Sequence, residues 1–253
     1  SLSDALFDHS ETSSTEIQQD VSYYYSNAIT DLAIEVAYEQ GAEPYTGNNS
    51  QGSPLWTLTT DNINALYANR SYQPSIIVPT TLGSMISLAD QAKANWTTDE
   101  VAALAATIPA SRTGSNIGRI QVIFLNGYFN DNGTVNKSTL GIQITGTTII
   151  AIFKDVIRSM SANPNSLVTK YVEQSTVIHE IGHALGLVNN GLGLTSEHQD
   201  TEHGHHCGNP KCVMNWLNSG AQDLVDFANH MATTGNNILF GDECLEDAWA
   251  YNP

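Results

Sequence analysis

An α+β fold is what the amino-acid sequence predicts, and three observations carry it. Candidate strands and helices mix irregularly up to about residue 160. A long helical pattern, apolar on one stripe, then covers residues 167–185. Beyond it only loops and short helices are legible, with no internal repeat or low-complexity linker anywhere in the chain.

In order along the chain, residues 1–25 are polar and read as a tail laid over the surface. Residues 31–38 alternate well enough for a first strand, which ends in the turn chemistry of Gly41 and Pro44. Gly, Asn and Ser make residues 45–54 a loop, and Asp61 is placed to cap a short helix carrying Ile63, Leu66 and Tyr67. Residues 75–78 form a brief apolar strand closed by Pro79. Thr97 and Glu100 have capping-box spacing and open a helix with Val101, Leu104, Ala105 and Ile108 inward, stopped by Pro109. Residues 119–126 read as a buried strand, Asn132-Gly133 as a turn, and residues 140–153 as two strands interrupted at Gly146-Thr147. Asn163-Pro164-Asn165-Ser166 starts the long helix and Gly186 stops it. Residues 222–231 are amphipathic through Leu224, Val225, Phe227 and Met231, and a last short helix includes Cys244, Leu245 and Trp249.

The chemistry concentrates at the end of the long helix, in His179-Glu180-Ile181-Gly182-His183. Residues four apart share a helix face, so His179 and His183 can aim both imidazoles at one point, which is half of a tetrahedral zinc site. Glu180 stands beside the first ligand, where it can reach a water at the metal and act as general base in peptide hydrolysis. Six of the eight histidines lie between positions 179 and 206, a concentration that a surface helix with incidental histidines does not explain. Four of them follow Gly186 and compete for a third ligand position: His198, His203, His205 and His206. His198 and His203, with Asp200, can instead orient ligands from behind or bind another metal.

At these residues the sequence resembles the metzincin zinc peptidases. His179-Glu180-x-x-His183-x-x-Gly186 is similar to their helix, and Met214 stands where their turn methionine lies beneath the metal. His206-Cys207-x4-Cys212-x-Met214 is similar to the archaemetzincin version of the tail. The chain departs from the pattern at Asn189, which occupies the usual third-ligand slot, and in the extra residues 187–205; leishmanolysin-like metzincins tolerate an insertion at this point. The whole run also resembles a group of secreted bacterial zinc peptidases. The resemblance implies a zinc endopeptidase with Zn2+ held by His179, His183 and His206, Glu180 as base and a protein or peptide substrate. It implies one catalytic domain over 26–253, with a mixed-sheet upper lobe (about 26–187) and a small, mostly helical lower lobe (about 188–253) split by the zinc cleft. It also implies that an extended substrate adds to an open sheet edge at residues 140–145. Archaemetzincins use such cysteines with a later C-x-x-C for a structural zinc. This chain has no C-x-x-C, so the expectation is a Cys207–Cys212 disulfide around the Gly-Asn-Pro turn, with Cys244 left over.

Composition narrows the classes further. Hydrophobic content of 41% without an 18-residue apolar run argues for a globular chain with no membrane span. A net charge of −17, from 26 acidic and nine basic groups, repels phosphate backbones and speaks against nucleic acid as a partner. Few lysines and many Ser, Thr and Asn fit a secreted or cell-surface protein; the resemblance implies a bacterial source, and a monomer is the expectation. Two rival readings stand beside the peptidase. One is a zincin whose third ligand is a downstream Glu197 or Glu202; the other is a non-catalytic zinc-containing binding module, against which the retained Glu180 argues.

Overall fold

The computed structural model describes residues 7–8, 20–215, 229, 233–234 and 237–253. Among them a mixed sheet of seven strands forms the centre. Its members are β1 (Phe7–Asp8), β2 (Asp31–Glu39), β3 (Ser75–Ile77), β4 (Ile86–Leu88), β6 (Ile117–Leu125), β9 (Gly141–Gln143) and β10 (Ile149–Phe153). The order is β1-β9-β10-β6-β2-β3, with β4 also on β2. All neighbours are parallel except β9 and β10, which form the antiparallel pair expected around Gly146. Every residue of β10 is buried, as a strand covered on both faces requires. A smaller sheet joins β5 (Asn95–Trp96), β7 (Tyr128–Asp131) and β8 (Thr134–Asn136). Its β7–β8 hairpin closes at Asn132-Gly133, where both residues have positive φ (48° and 96°), the twist a two-residue hairpin turn needs.

The described residues also form helices α1 (Val21–Tyr24), α2 (Thr57–Tyr67), α3 (Thr98–Thr107), α4 (Lys154–Ser159), α5 (Leu167–Ala184) and α6 (Asp242–Ala250). Thr97 and Glu100 form the expected capping box on α3. Asp61 does not cap α2: the helix begins four residues earlier, at Thr57, and Asp61 lies inside it. The buried Leu55 and Trp56 anchor that earlier start. The helix expected at 222–231 lies outside the described residues. Gln121 on β6 reaches the Ala105 carbonyl on α3, whereas Phe124, three residues on, packs edge-on against Trp56 at the start of α2. Residues an odd number apart on a strand face opposite ways, so α3 covers one face and α2 the other. Helix α5 packs against α2, where Thr59 donates to Gln174 (2.9 Å), and against β9 and β10. Helix α6 returns onto α2, with Trp249 donating its indole N–H to the Ala65 carbonyl. No helix among the described residues is long and apolar enough to cross a membrane.

The outer edge of β9 is not open. β1 pairs along it in parallel, Phe7 opposite Gly141 and Asp8 opposite Ile142, so the edge expected to receive substrate already carries a segment of this chain. The sequence does not announce this, because a two-residue strand has no periodicity to read.

A buried ion pair fixes α5 against α4. Lys154 Nζ and Glu173 are 1% and 0% exposed and are joined directly. The lysine also lies over the Tyr45 ring, and Glu173 accepts from the Tyr45 N–H (2.7 Å). Burial draws the Lys154 ammonium below its ordinary range and pushes the Glu173 carboxyl up, each countered by its partner. Removing one partner leaves an uncompensated buried charge. Lys154→Met is therefore expected to lower stability by about 3–5 kcal/mol, and the Lys154→Met/Glu173→Leu double variant by clearly less. Urea denaturation of the two variants checks this, and equal losses would show that packing rather than charge sets the cost.

Candidate metal centre

Helix α5 delivers the first two histidines because its pattern keeps it buried for most of its length. From Tyr171 to Ala184 every residue is buried, and the Ser166 hydroxyl caps the start by accepting from the Thr169 N–H. The helix stops at Gly186 (φ 87°), where Gly186 N–H donates to the His183 carbonyl and Leu187 N–H to the Gly182 carbonyl. That pairing satisfies the last carbonyls of the helix and turns the chain. Val188 (φ 52°) and Asn189 (φ 61°) continue the reversal in a left-handed conformation. Such a φ is strained for a β-branched residue and is tolerated where surrounding contacts over-determine it. The Val188 side chain is buried and its carbonyl accepts from His205 Nδ1 (3.0 Å). Asn189 is exposed, with its amide toward Gln199, and takes no part in the histidine group.

The residues after α5 build a small hairpin of β11 (Gln199–Asp200) and β12 (His206–Cys207), joined through a 3-10 turn at Thr201–His203. The hairpin brings His206 onto the helix. His179, His183 and His206 are buried, and their ligand nitrogens all lie within 4.8 Å of one another. His179 Nε2 and His183 Nε2 are 3.0 Å apart. His179 Nδ1 faces the Val213 carbonyl at 2.7 Å and His206 Nδ1 faces the His203 carbonyl at 2.5 Å. A carbonyl only accepts, so both protons sit on Nδ1 and Nε2 becomes the lone-pair donor of each ring. A tetrahedral ion with N ligands separates those nitrogens by about 3.3 Å, close to the 3.0 Å between His179 and His183. Three buried imidazoles, two of them held in this tautomer, are a donor set that can hold a metal ion. The rivals stand elsewhere: His203 pairs with Asp200 (2.6 Å), His205 holds the Val188 carbonyl, and Glu197 and Glu202 are exposed.

Glu180 is fully buried on the same turn as the two helix histidines. Met214 is also fully buried and packs on Gly182, between those histidines; a Cβ there would stand 2.4 Å from Met214 Sδ and 3.0 Å from Phe240. Only glycine lets the 212–215 turn approach this closely. Backbone bonds clamp the turn, Cys207 N–H to the Met214 carbonyl (2.7 Å) and Val213 N–H to the Leu239 carbonyl (2.8 Å).

The expected Cys207–Cys212 disulfide is not formed. All three cysteines are free and buried. Cys244, from α6, stands 3.6 Å from Cys212, against the roughly 2.0 Å of a disulfide. His198 Nδ1 lies 3.4 Å from Cys207 Sγ, and the ligand atoms of His198, Cys207 and Cys244 all fall within 4.8 Å of one another. The sulfurs meet as a trio because α6 inserts the cysteine that sequence spacing left over. Sequence reasoning missed Cys244 as a site residue, since its only signal was an odd cysteine 32 positions from Cys212. Comparison of the chain with known protein families and with curated proteins finds no match.

Burial holds two of the histidines neutral. His206 is pushed down to about 4 and His179 well below its ordinary value, in both through loss of solvation. Between pH 6.5 and about 4 the unfolded chain takes up a proton at position 206 that the native chain refuses, so stability falls as pH falls through that window. Chelator-treated protein is expected to lose about 3 kcal/mol from this group between pH 7 and pH 4, by the scale of one pKa unit. Urea midpoints across that range check it; a His206→Gln variant with an unchanged slope would reject the assignment.

Proposed function

We propose that this chain is a zinc-dependent endopeptidase. The observation that supports it most is the convergence of His206 with His179 and His183 in one buried group, with Glu180 on the same helix turn. His179, His183 and His206 would hold Zn2+, the borderline ion that suits three neutral imidazoles. When bound, the ion polarises the scissile carbonyl and acidifies the attacking water. Glu180 takes the proton of that water and hands it to the leaving amine. The Val213 and His203 carbonyls keep the rings of His179 and His206 in the tautomer and orientation the ion needs. Met214, pressed on Gly182, sets the floor behind the helix histidines. The substrate is a protein or peptide, and the acidic, lysine-poor composition suits action outside the cell.

Two variants test the reading. Glu180→Gln is expected to keep its zinc and lose about two to three orders of magnitude in turnover on casein or a quenched peptide. His206→Ala is expected to lose the ion held by the three histidines at neutral pH, measured by elemental analysis after dialysis. Near-normal hydrolysis by Glu180→Gln removes that residue as the base. Full metal retention by His206→Ala moves the third ligand elsewhere.

A further inference from the structure

We propose that His198, Cys207, Cys212 and Cys244 form a second metal site, for a soft divalent ion of the zinc class, which locks the third histidine into place. The inference is independent of the peptidase reading. Its donors come from three separate stretches: residues 187–205 supply His198, the tail supplies Cys207 and α6 supplies Cys244, with their ligand atoms all within 4.8 Å of one another; Cys212, also from the tail, joins them through Cys244 at 3.6 Å. No C-x-x-C pair takes part.

Two separations within the group match those of a coordination sphere. A tetrahedral zinc with sulfur ligands at about 2.3 Å and an imidazole at about 2.0 Å separates sulfur from sulfur by about 3.8 Å and sulfur from nitrogen by about 3.6 Å. Here Cys212 and Cys244 are 3.6 Å apart, and His198 Nδ1 is 3.4 Å from Cys207 Sγ. The sulfurs are also surrounded by groups that favour an anion. The Asn209 N–H points at Cys207 Sγ (3.4 Å), and the Met214 (3.4 Å) and Gly241 (3.1 Å) N–H groups point at Cys212 Sγ. Donors aimed at sulfur stabilise a thiolate, which is the form that binds metal.

His198 is oriented as metal-binding histidines are. Its Nε2 donates to Asp247 Oδ2 (2.7 Å), which leaves the Nδ1 lone pair facing the sulfurs. Asp247 is itself 1% exposed, and its other oxygen accepts from the Thr195 N–H (2.6 Å) and hydroxyl (2.8 Å). The carboxylate is thereby fixed before the histidine meets it.

The position of the site gives it a consequence. Cys207 follows His206 directly, and Cys212 precedes Val213, whose carbonyl holds His179 Nδ1. An ion on the four donors would tie the hairpin, the 207–215 turn and α6 together, and would hold both supports of the three-histidine group.

Wild-type protein purified with zinc is expected to carry two ions per chain by elemental analysis. After replacement by cobalt it should show sulfur-to-cobalt charge-transfer absorption in the near ultraviolet, which three imidazoles cannot produce. His198→Ala and Cys244→Ser should lose that band and one ion per chain, whereas His206→Ala should keep the band while losing the other ion. The wild-type spectrum decides the matter even if a variant fails to fold. A wild-type chain with one ion and no sulfur–cobalt band would overturn the proposal, as would native protein whose mass shows a disulfide among the three cysteines. Neither result touches the peptidase reading, which rests on Glu180→Gln and on the ion lost from His206→Ala.

Discussion

The hydrogen bond from His179 Nδ1 to the Val213 carbonyl is the contact on which the centre depends. It joins a side chain on α5 to the backbone of a turn 34 residues later, so the orientation of the first histidine and the placement of Met214 are one constraint. Two further features make that contact possible. Gly182 removes the side chain that would otherwise strike Met214 Sδ, and the backbone bonds to Cys207 and Leu239 keep the turn from drifting. A carbonyl at 2.7 Å also selects the tautomer, which converts a buried imidazole from a general polar group into a directed lone-pair donor.

The rest of the fold holds α5 still. The helix is buried through nearly its whole length between the sheet and α2, and the Lys154–Glu173 pair pins it against α4. That pair carries a large desolvation cost and is satisfied by direct contact, the Tyr45 ring and the Tyr45 N–H. A buried pair of this kind sets position more than it adds net stability. Precise placement is what a group of three imidazoles on two distant segments requires.

The stretch after Gly186 returns to the helix by a detour. Asn189 stays exposed, and the chain reaches the helix again by a hairpin. The positive φ values at Gly186, Val188 and Asn189 form the reversal that makes the detour possible. The same stretch carries His198 to the cysteines, so it serves both clusters. In this arrangement His206 and Cys207, adjacent on β12, face separate groups, as successive residues on a strand must.

Local rules were enough for the sequence to determine much of this by itself. A period of 3.6 residues placed His179 and His183 on one helix face, Ser166 and Gly186 marked the two ends of α5, and Thr97 with Glu100 specified a capping box. Strands β2, β6, β9 and β10 were legible because each is long enough, or paired closely enough in sequence, to show its pattern. Only the tertiary structure decided which later histidine joins the helix, that Cys244 rather than a disulfide partner completes the sulfur group, and that β1 covers the edge of β9. Those are meetings between segments tens of residues apart. Sequence spacing does not encode them, because the loops between such segments can close in many ways and the packed sheet and helices select one.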